Sequence, residues 1–131
     1  KLGKKLPLHG GGHSVRSFIH IRDVAEGTLR IARQAPAGEI YHFSTERVVS
    51  IRNLVEIICE KMGVSFDKHV EVVGDRAGKD QAYLLDSTKA RTKLSWDNEV
   101  SLEQGIDETV RWVDKNLEDL KKQPLDYIHK A

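Results

Sequence analysis

Leu6-Pro7-Leu8-His9-Gly10-Gly11-Gly12-His13-Ser14-Val15-Arg16-Ser17-Phe18-Ile19-His20-Ile21-Arg22-Asp23-Val24-Ala25 decides the fold class, because it passes through three kinds of backbone in 20 residues. Leu6-Pro7-Leu8 is a short apolar strand that enters Gly10-Gly11-Gly12, where residues without a Cβ can take positive φ and let the backbone approach a neighbour closely. Val15 to Ile21 is rich in β-branched and aromatic residues. Val15, Ile19 and Ile21 fall on one face and Arg16, Phe18 and His20 on the other, so this reads as a strand buried on both faces. Asp23 is placed to cap a helix running to about Gln34, with Ala25, Leu29 and Ala32 along one stripe; Pro36 and Gly38 end it. Strands and helices alternating in this way predict an α/β fold.

Outward from that stretch the alternation continues. Glu39 to Ser44 reads as a strand, and Ser50 caps a helix in which Ile51, Leu54, Val55, Ile58 and Met62 keep helical spacing until Gly63 stops it. Val70 to Val73 is a short strand, followed by the polar loop Gly74-Asp75-Arg76-Ala77-Gly78-Lys79-Asp80. Asp86 or Ser87 starts a short helix carrying Ala90 and Leu94. Ser101 and Gln104 have capping-box spacing before a helix whose stripe is Leu102, Ile106, Val110, Val113, Leu117 and Leu120. The pattern predicts short strands with about four helices in a single domain over residues 1–131, and a tail after Pro124 that packs or frays.

Composition narrows the classes of function. A chain that is 39% hydrophobic and 31% charged folds in water, and 21 basic against 20 acidic residues give no field to attract nucleic acid or an anionic membrane. Cys59 is the only cysteine, so no internal disulfide forms and a reducing, cytoplasmic setting is expected. No stretch reaches the roughly 20 apolar residues of a membrane span. The start at Lys1 rather than a methionine suggests truncation, proteolysis or tag removal.

The triple glycine runs into a strand, and neither G-x-x-x-x-G-K-[ST] nor G-x-G-x-x-G occurs, so it reads as a tight turn between strands rather than a phosphate loop. His9, His13 and His20 lack the spacing of a metal site, and no metal is expected. Arg16 and Arg76 each stand near glycines. Two planar guanidinium forks converging there would clamp a diphosphate, and Asp80 would accept hydrogen bonds from a sugar hydroxyl. Solvated loop arginines would give the same local sequence.

Several segments in order resemble the C-terminal part of the extended short-chain dehydrogenase/reductase family, especially its nucleotide-sugar 4,6-dehydratases. The stretch from Leu6 to Ala25 is similar to the family's glycine turn, phosphate-binding arginine, aromatic strand and Asp-capped helix. Glu39-Ile40-Tyr41-His42-Phe43 is similar to the strand that follows. Arg76-Ala77-Gly78-Lys79-Asp80 resembles an Arg-Pro-Gly-x-Asp run, and Asp86-Ser87-Thr88-Lys89 with Leu94-Ser95-Trp96 resembles the Asp-x-x-Lys and Leu-Gly-Trp segments. Ser101 to Trp112 looks like the closing helix. The chain departs from the pattern at Ser17, His42, Ser44, Ala77 and Ser95.

The resemblance implies the substrate-binding portion of an extended Rossmann-type enzyme. Arg16 and Arg76 would bind the diphosphate of a nucleotide diphosphate-sugar, with Lys79 and Asp80 nearby and Ser50 touching it from its helix N-terminus. It further implies that NAD, its Rossmann half and the catalytic Tyr-x-x-x-Lys pair belong to a missing N-terminal half, that this chain has no catalytic or cofactor-binding residue of its own, and that the parent is a homodimer. Tyr83 does not supply that pair, since Ser87 stands four residues on. Within the family an epimerase or decarboxylase would use a similar clamp, and a non-catalytic sugar-nucleotide binding module is the alternative outside it.

Overall fold

Two short strands 60 residues apart in sequence pair in parallel at the base of a computed structural model that describes residues 1–75 and 78–124. Strand β1 (Leu6–His9) aligns Leu6 with Val70 and Leu8 with Val72 of β4 (Val70–Val73). Gly10–Gly12 then form a single 3-10 turn with φ of 55°, 66° and 71°, a backbone that side chains resist. A Cβ on Gly12 would lie 2.8 Å from the amide nitrogen of Arg52, so the turn rests directly on the helix that follows Ser50. The turn does not close a hairpin. It carries the chain into a second sheet, in which β2 (Val15–Ser17) lies between β3 (Val48–Ser50), antiparallel, and β5 (Ala82–Tyr83), parallel.

Several expectations are corrected. The strand expected over Val15 to Ile21 is realised only to Ser17. Helix α1 (Ile21–Gln34) is capped not by Asp23 but by His20, whose Nδ1 accepts the Arg22 amide at 3.2 Å. Asp23 is instead 4% exposed and faces inward. Glu39 to Ser44 joins no sheet; Tyr41 and Phe43 pack against the buried cluster Ala90, Leu94 and Trp96. Gly27 makes room there, since a Cβ would meet the Phe43 ring at 2.4 Å. The sheet partner in this region is β3, three residues long.

Helix α2 (Ile51–Lys61) starts as expected at Ser50, whose hydroxyl accepts the Asn53 amide at 3.0 Å, and ends before Gly63 at φ 64°. It covers β1 and β4 through Leu8, Val55, Cys59 and Val70, a core separate from the Trp96 cluster. The single turn α3 (Phe66–His69) and the two-residue β5 are too short to leave a periodic signal. Ahead of α4 (Thr88–Leu94) the two candidate caps divide the work: Asp86 Oδ1 accepts the Thr88 amide at 2.8 Å, and Ser87 donates to the Ser44 carbonyl at 3.2 Å. The last stripe is not one helix. α5 (Leu102–Lys115) stops at Asn116, whose Nδ2 donates to the Trp112 carbonyl at 2.8 Å, and α6 (Leu117–Leu120) adds one turn. The tail expected after Pro124 lies outside the described residues. No helix among those described is long and apolar enough to cross a membrane.

Candidate functional site

The middle strand of the three-stranded sheet presents Arg16. Its register partners are Val49 on β3 and Tyr83 on β5, so Tyr83, 59% exposed, leaves the same face of the sheet beside the guanidinium. Arg16 Nη1 donates to the Val15 carbonyl at 2.7 Å and Nη2 to the Asp80 carbonyl at 3.0 Å. Together with the Val15 amide, which donates to the Gln81 carbonyl at 2.8 Å, these contacts tie the end of the 74–80 loop to β2. The remaining N–H groups of a guanidinium so anchored can receive an anion without the side chain first having to be ordered.

The other end of that loop meets the glycine turn. His9 Nδ1 donates to the Gly74 carbonyl at 3.1 Å, which fixes the tautomer because the carbonyl can only accept. At Gly10 a Cβ would fall 2.3 Å from the Asp75 carboxyl carbon, so only glycine lets the loops close on each other. Lys79 Nζ donates to Asp75 Oδ1 at 2.7 Å and is held over the same junction. The fold therefore brings Arg16 of β2 to the stretch that carries Lys79 and Asp80. Arg76 lies in this loop but outside the described residues.

Ser50 is placed differently. It pairs with Val15, the neighbour of Arg16, and successive strand residues point to opposite faces, so its side chain leaves the sheet away from Arg16. Its hydroxyl already caps α2. Sequence reasoning passed over Tyr83 as a neighbour of Arg16, because β5 is too short to be seen by alternation. It also misread Asp23, whose Oδ1 and Oδ2 accept the amides of Glu99 and Val100, both at 3.2 Å. Burial pushes the Cys59 thiol up from its usual value, which keeps it in the unreactive protonated form. Among the described residues no group of three or more His, Cys, Asp or Glu is arranged to hold a metal.

A cleft of about 590 Å³ lies elsewhere, between α2, α5 and the Phe18–Ile21 segment. It is lined mainly by apolar side chains, and neither Arg16, Ser50, Lys79 nor Asp80 reaches it. An apolar cleft lacks the donors a diphosphate needs, so the charged junction, not this cleft, is the candidate site.

The GDP-mannose 4,6 dehydratase family matches residues 1–109. The chain belongs to this family. Among its relatives is a dTDP-glucose 4,6-dehydratase of Streptomyces antibioticus, 34% identical over 125 residues, which are 93% of this chain and 37% of the relative. A dTDP-glucose 4,6-dehydratase of Bacillus anthracis solved in complex with NAD superposes with a TM-score of 0.81 at 33% identity, over 88% of this chain and 36% of that one. A UDP-glucose 4-epimerase of Thermotoga maritima solved with UDP-glucose gives a TM-score of 0.80 at 30% identity, again over 88% and 36%. The chain thus spans little more than a third of these enzymes, and its mixed α/β fold matches the C-terminal portion of the extended dehydratases.

Proposed function

We propose that this GDP-mannose 4,6 dehydratase family chain is the substrate-binding part of an NAD-dependent nucleotide-sugar 4,6-dehydratase, a single unit over residues 1–131 that grips the diphosphate of a nucleotide diphosphate-sugar. The observation that carries the reading is the anchoring of Arg16 on the Asp80 carbonyl at 3.0 Å, which joins β2 to the loop that also contains Arg76 and Lys79. Arg16 and Arg76 bind phosphate oxygens, Lys79 adds positive charge, and Asp80 accepts from a sugar hydroxyl. Ser50 contributes by fixing the start of α2 beneath the glycine turn. Holding the diphosphate positions the sugar for chemistry done by groups outside this chain.

The residues present do not fit NAD. The glycine turn leads into β2 rather than into a helix N-terminus, so among the described residues no glycine turn brings the pyrophosphate to the amides of a first helical turn. The cofactor and the catalytic pair belong to further polypeptide, and the parent enzyme is a homodimer. With its one thiol free and buried, the chain suits a reducing cytoplasm.

Isothermal calorimetry of nucleoside diphosphates against the protein made from its complete reading frame, wild type and Arg16→Ala, tests the reading. Loss of diphosphate binding with nucleoside binding kept is expected. Equal affinity for the two proteins overturns it. The likeness to the Thermotoga maritima epimerase favours a second reading, a nucleotide-sugar epimerase. Product analysis separates the two, since a dehydratase gives a 4-keto-6-deoxy sugar and an epimerase only an inverted one.

A further inference from the structure

Asp75 reaches into the glycine turn. Its carboxylate occupies the space that a Cβ on Gly10 would fill, with Cγ 2.3 Å and Oδ2 2.4 Å from that position. From there Oδ1 accepts a hydrogen bond from Lys79 Nζ at 2.7 Å, and the ammonium is the more shielded partner, with 23% of its side chain exposed against 44% for Asp75. Lys79 is next in the chain to Asp80, whose carbonyl accepts from Arg16 Nη2 at 3.0 Å. Arg16 and Lys79 therefore flank one residue, and the second of these cations is already matched by a carboxylate.

A site built only to attract phosphate has no use for that carboxylate. An anion in contact with the ammonium offsets most of its field at the distance of a ligand. What this changes is the ligand charge that the site prefers. The sugar ester of a nucleoside diphosphate carries about two negative charges at neutral pH, one per phosphate, whereas the free nucleoside diphosphate carries about three, because its terminal phosphate loses a second proton near about pH 6. The free form is a natural competitor, since glycosyl transfer from an activated sugar releases it. Added positive charge at the junction would tighten both ligands and favour the free form, which has one charge more to be attracted.

We propose that Asp75 is a specificity-determining residue which, by offsetting Lys79, makes the junction prefer a nucleotide diphosphate-sugar to the free nucleoside diphosphate. The proposal rests on the reading of the junction as a diphosphate site. Gly10 is part of the device, because a side chain there would displace the carboxylate from Lys79.

Calorimetry on the product of the complete reading frame tests it, with three pairs of probes: UDP and UDP-glucose, dTDP and dTDP-glucose, GDP and GDP-mannose. Asp75→Asn keeps an oxygen for Lys79 Nζ and removes the charge. It is expected to shift the affinity ratio toward the free diphosphate by roughly three- to tenfold. Lys79→Gln removes the opposite charge and is expected to shift the ratio by a similar factor toward the sugar ester, which decides the matter even where Asp75→Asn disturbs the turn. High salt should shrink both shifts. A ratio that neither variant moves by a factor of about two, in proteins that still bind these ligands, overturns the proposal alone, as does a shift of the same sign in both. Abolition of all binding by both variants also overturns it, because the ion pair then supports the fold rather than the choice of ligand. Wild-type protein that binds none of the three pairs overturns the reading of the junction as well.

Discussion

The indole Nε1 of Trp96 donates to the main-chain carbonyl of Asp23 at 2.8 Å, joining residues 73 apart in the sequence. The Asp23 carboxylate returns the connection by accepting the amides of Glu99 and Val100. One residue in the first turn of α1 thus ties the helix to the whole Trp96–Val100 turn, at a position where Asp23 is 4% exposed and Trp96 1%.

Asp23→Ala is therefore expected to destabilise the protein by about 2–4 kcal/mol, since hydrogen bonds to a charged acceptor are lost and the Val100 amide is left buried without a partner. Asp23→Asn keeps one accepting oxygen and should lose less. Chemical denaturation of the three proteins measures it. A loss below about 0.5 kcal/mol for Asp23→Ala would show that water replaces the carboxylate.

Arg16→Ala and Arg76→Ala in the complete protein should each weaken nucleotide diphosphate binding by roughly tenfold to a hundredfold, the equivalent of a charge-assisted hydrogen bond of about 1.5–3 kcal/mol. Arg→Lys recovers part of this, because an ammonium keeps the charge and loses the two-pronged fork. The double variant should depart from additivity if both groups hold one diphosphate. Calorimetry with diphosphate and with plain nucleoside reads all of these. Equal loss of nucleoside binding would mean that the arginines support the fold rather than the ligand.

Ser95 ends α4 with φ 48° and ψ 36°, the only non-glycine residue with positive φ among those described. Ser95→Gly should raise stability by about 0.5–1 kcal/mol, since relief of left-handed strain exceeds the added entropy of the unfolded glycine. Its carbonyl bond from Arg30 is main-chain and survives the change. A lowered melting temperature for Ser95→Gly would contradict this.

Acid should weaken the fold through three surface carboxylates. Hydrogen bonds from the Thr88 side chain and amide hold Asp86 below its ordinary 3.8, and Arg47 and Lys89 hold Glu103 and Glu39 below their ordinary 4.5. A carboxyl with a lowered folded-state pKa adds stability that is fully present above the unfolded value and is lost as pH falls through the folded one. Stability should thus be level above about pH 5.5 and decline as the pH drops past these ordinary values and below them. Urea denaturation from pH 7 to pH 3 checks it, and Asp86→Asn combined with Glu103→Gln should flatten the decline. A wild-type profile flat to pH 3 would refute the assignment.

The isolated chain is expected not to bind NAD. Calorimetry at millimolar cofactor should give no saturable heat, and micromolar affinity would mean that a dinucleotide site forms from residues read here as turn and strand.

The sequence by itself determined the features whose cause is local. The glycine turn, the Ser50 and Ser101 caps, the amphipathic stripes of α1 and α2 and the break at Gly63 follow from φ preferences, short-range hydrogen bonds and a 3.6-residue period, all acting within a few positions. Arg16 beside a glycine turn was legible for the same reason. Only the tertiary structure decided the rest, because the cause lay far along the chain. Asp23 left its cap for two amides 76 and 77 residues away. The segment from Glu39 to Ser44 has an apolar pattern fit for a strand, but it joins no sheet, and Phe43 packs instead with its ring centroid 4.8 Å from that of Trp96, the ring planes tilted by 52°. Ser50 reads as a phosphate contact until strand register turns it away from Arg16. The strand from Val15 to Ile21 shows both halves of this division: its residues set an extended backbone, and a partner strand sets how much of that backbone becomes sheet.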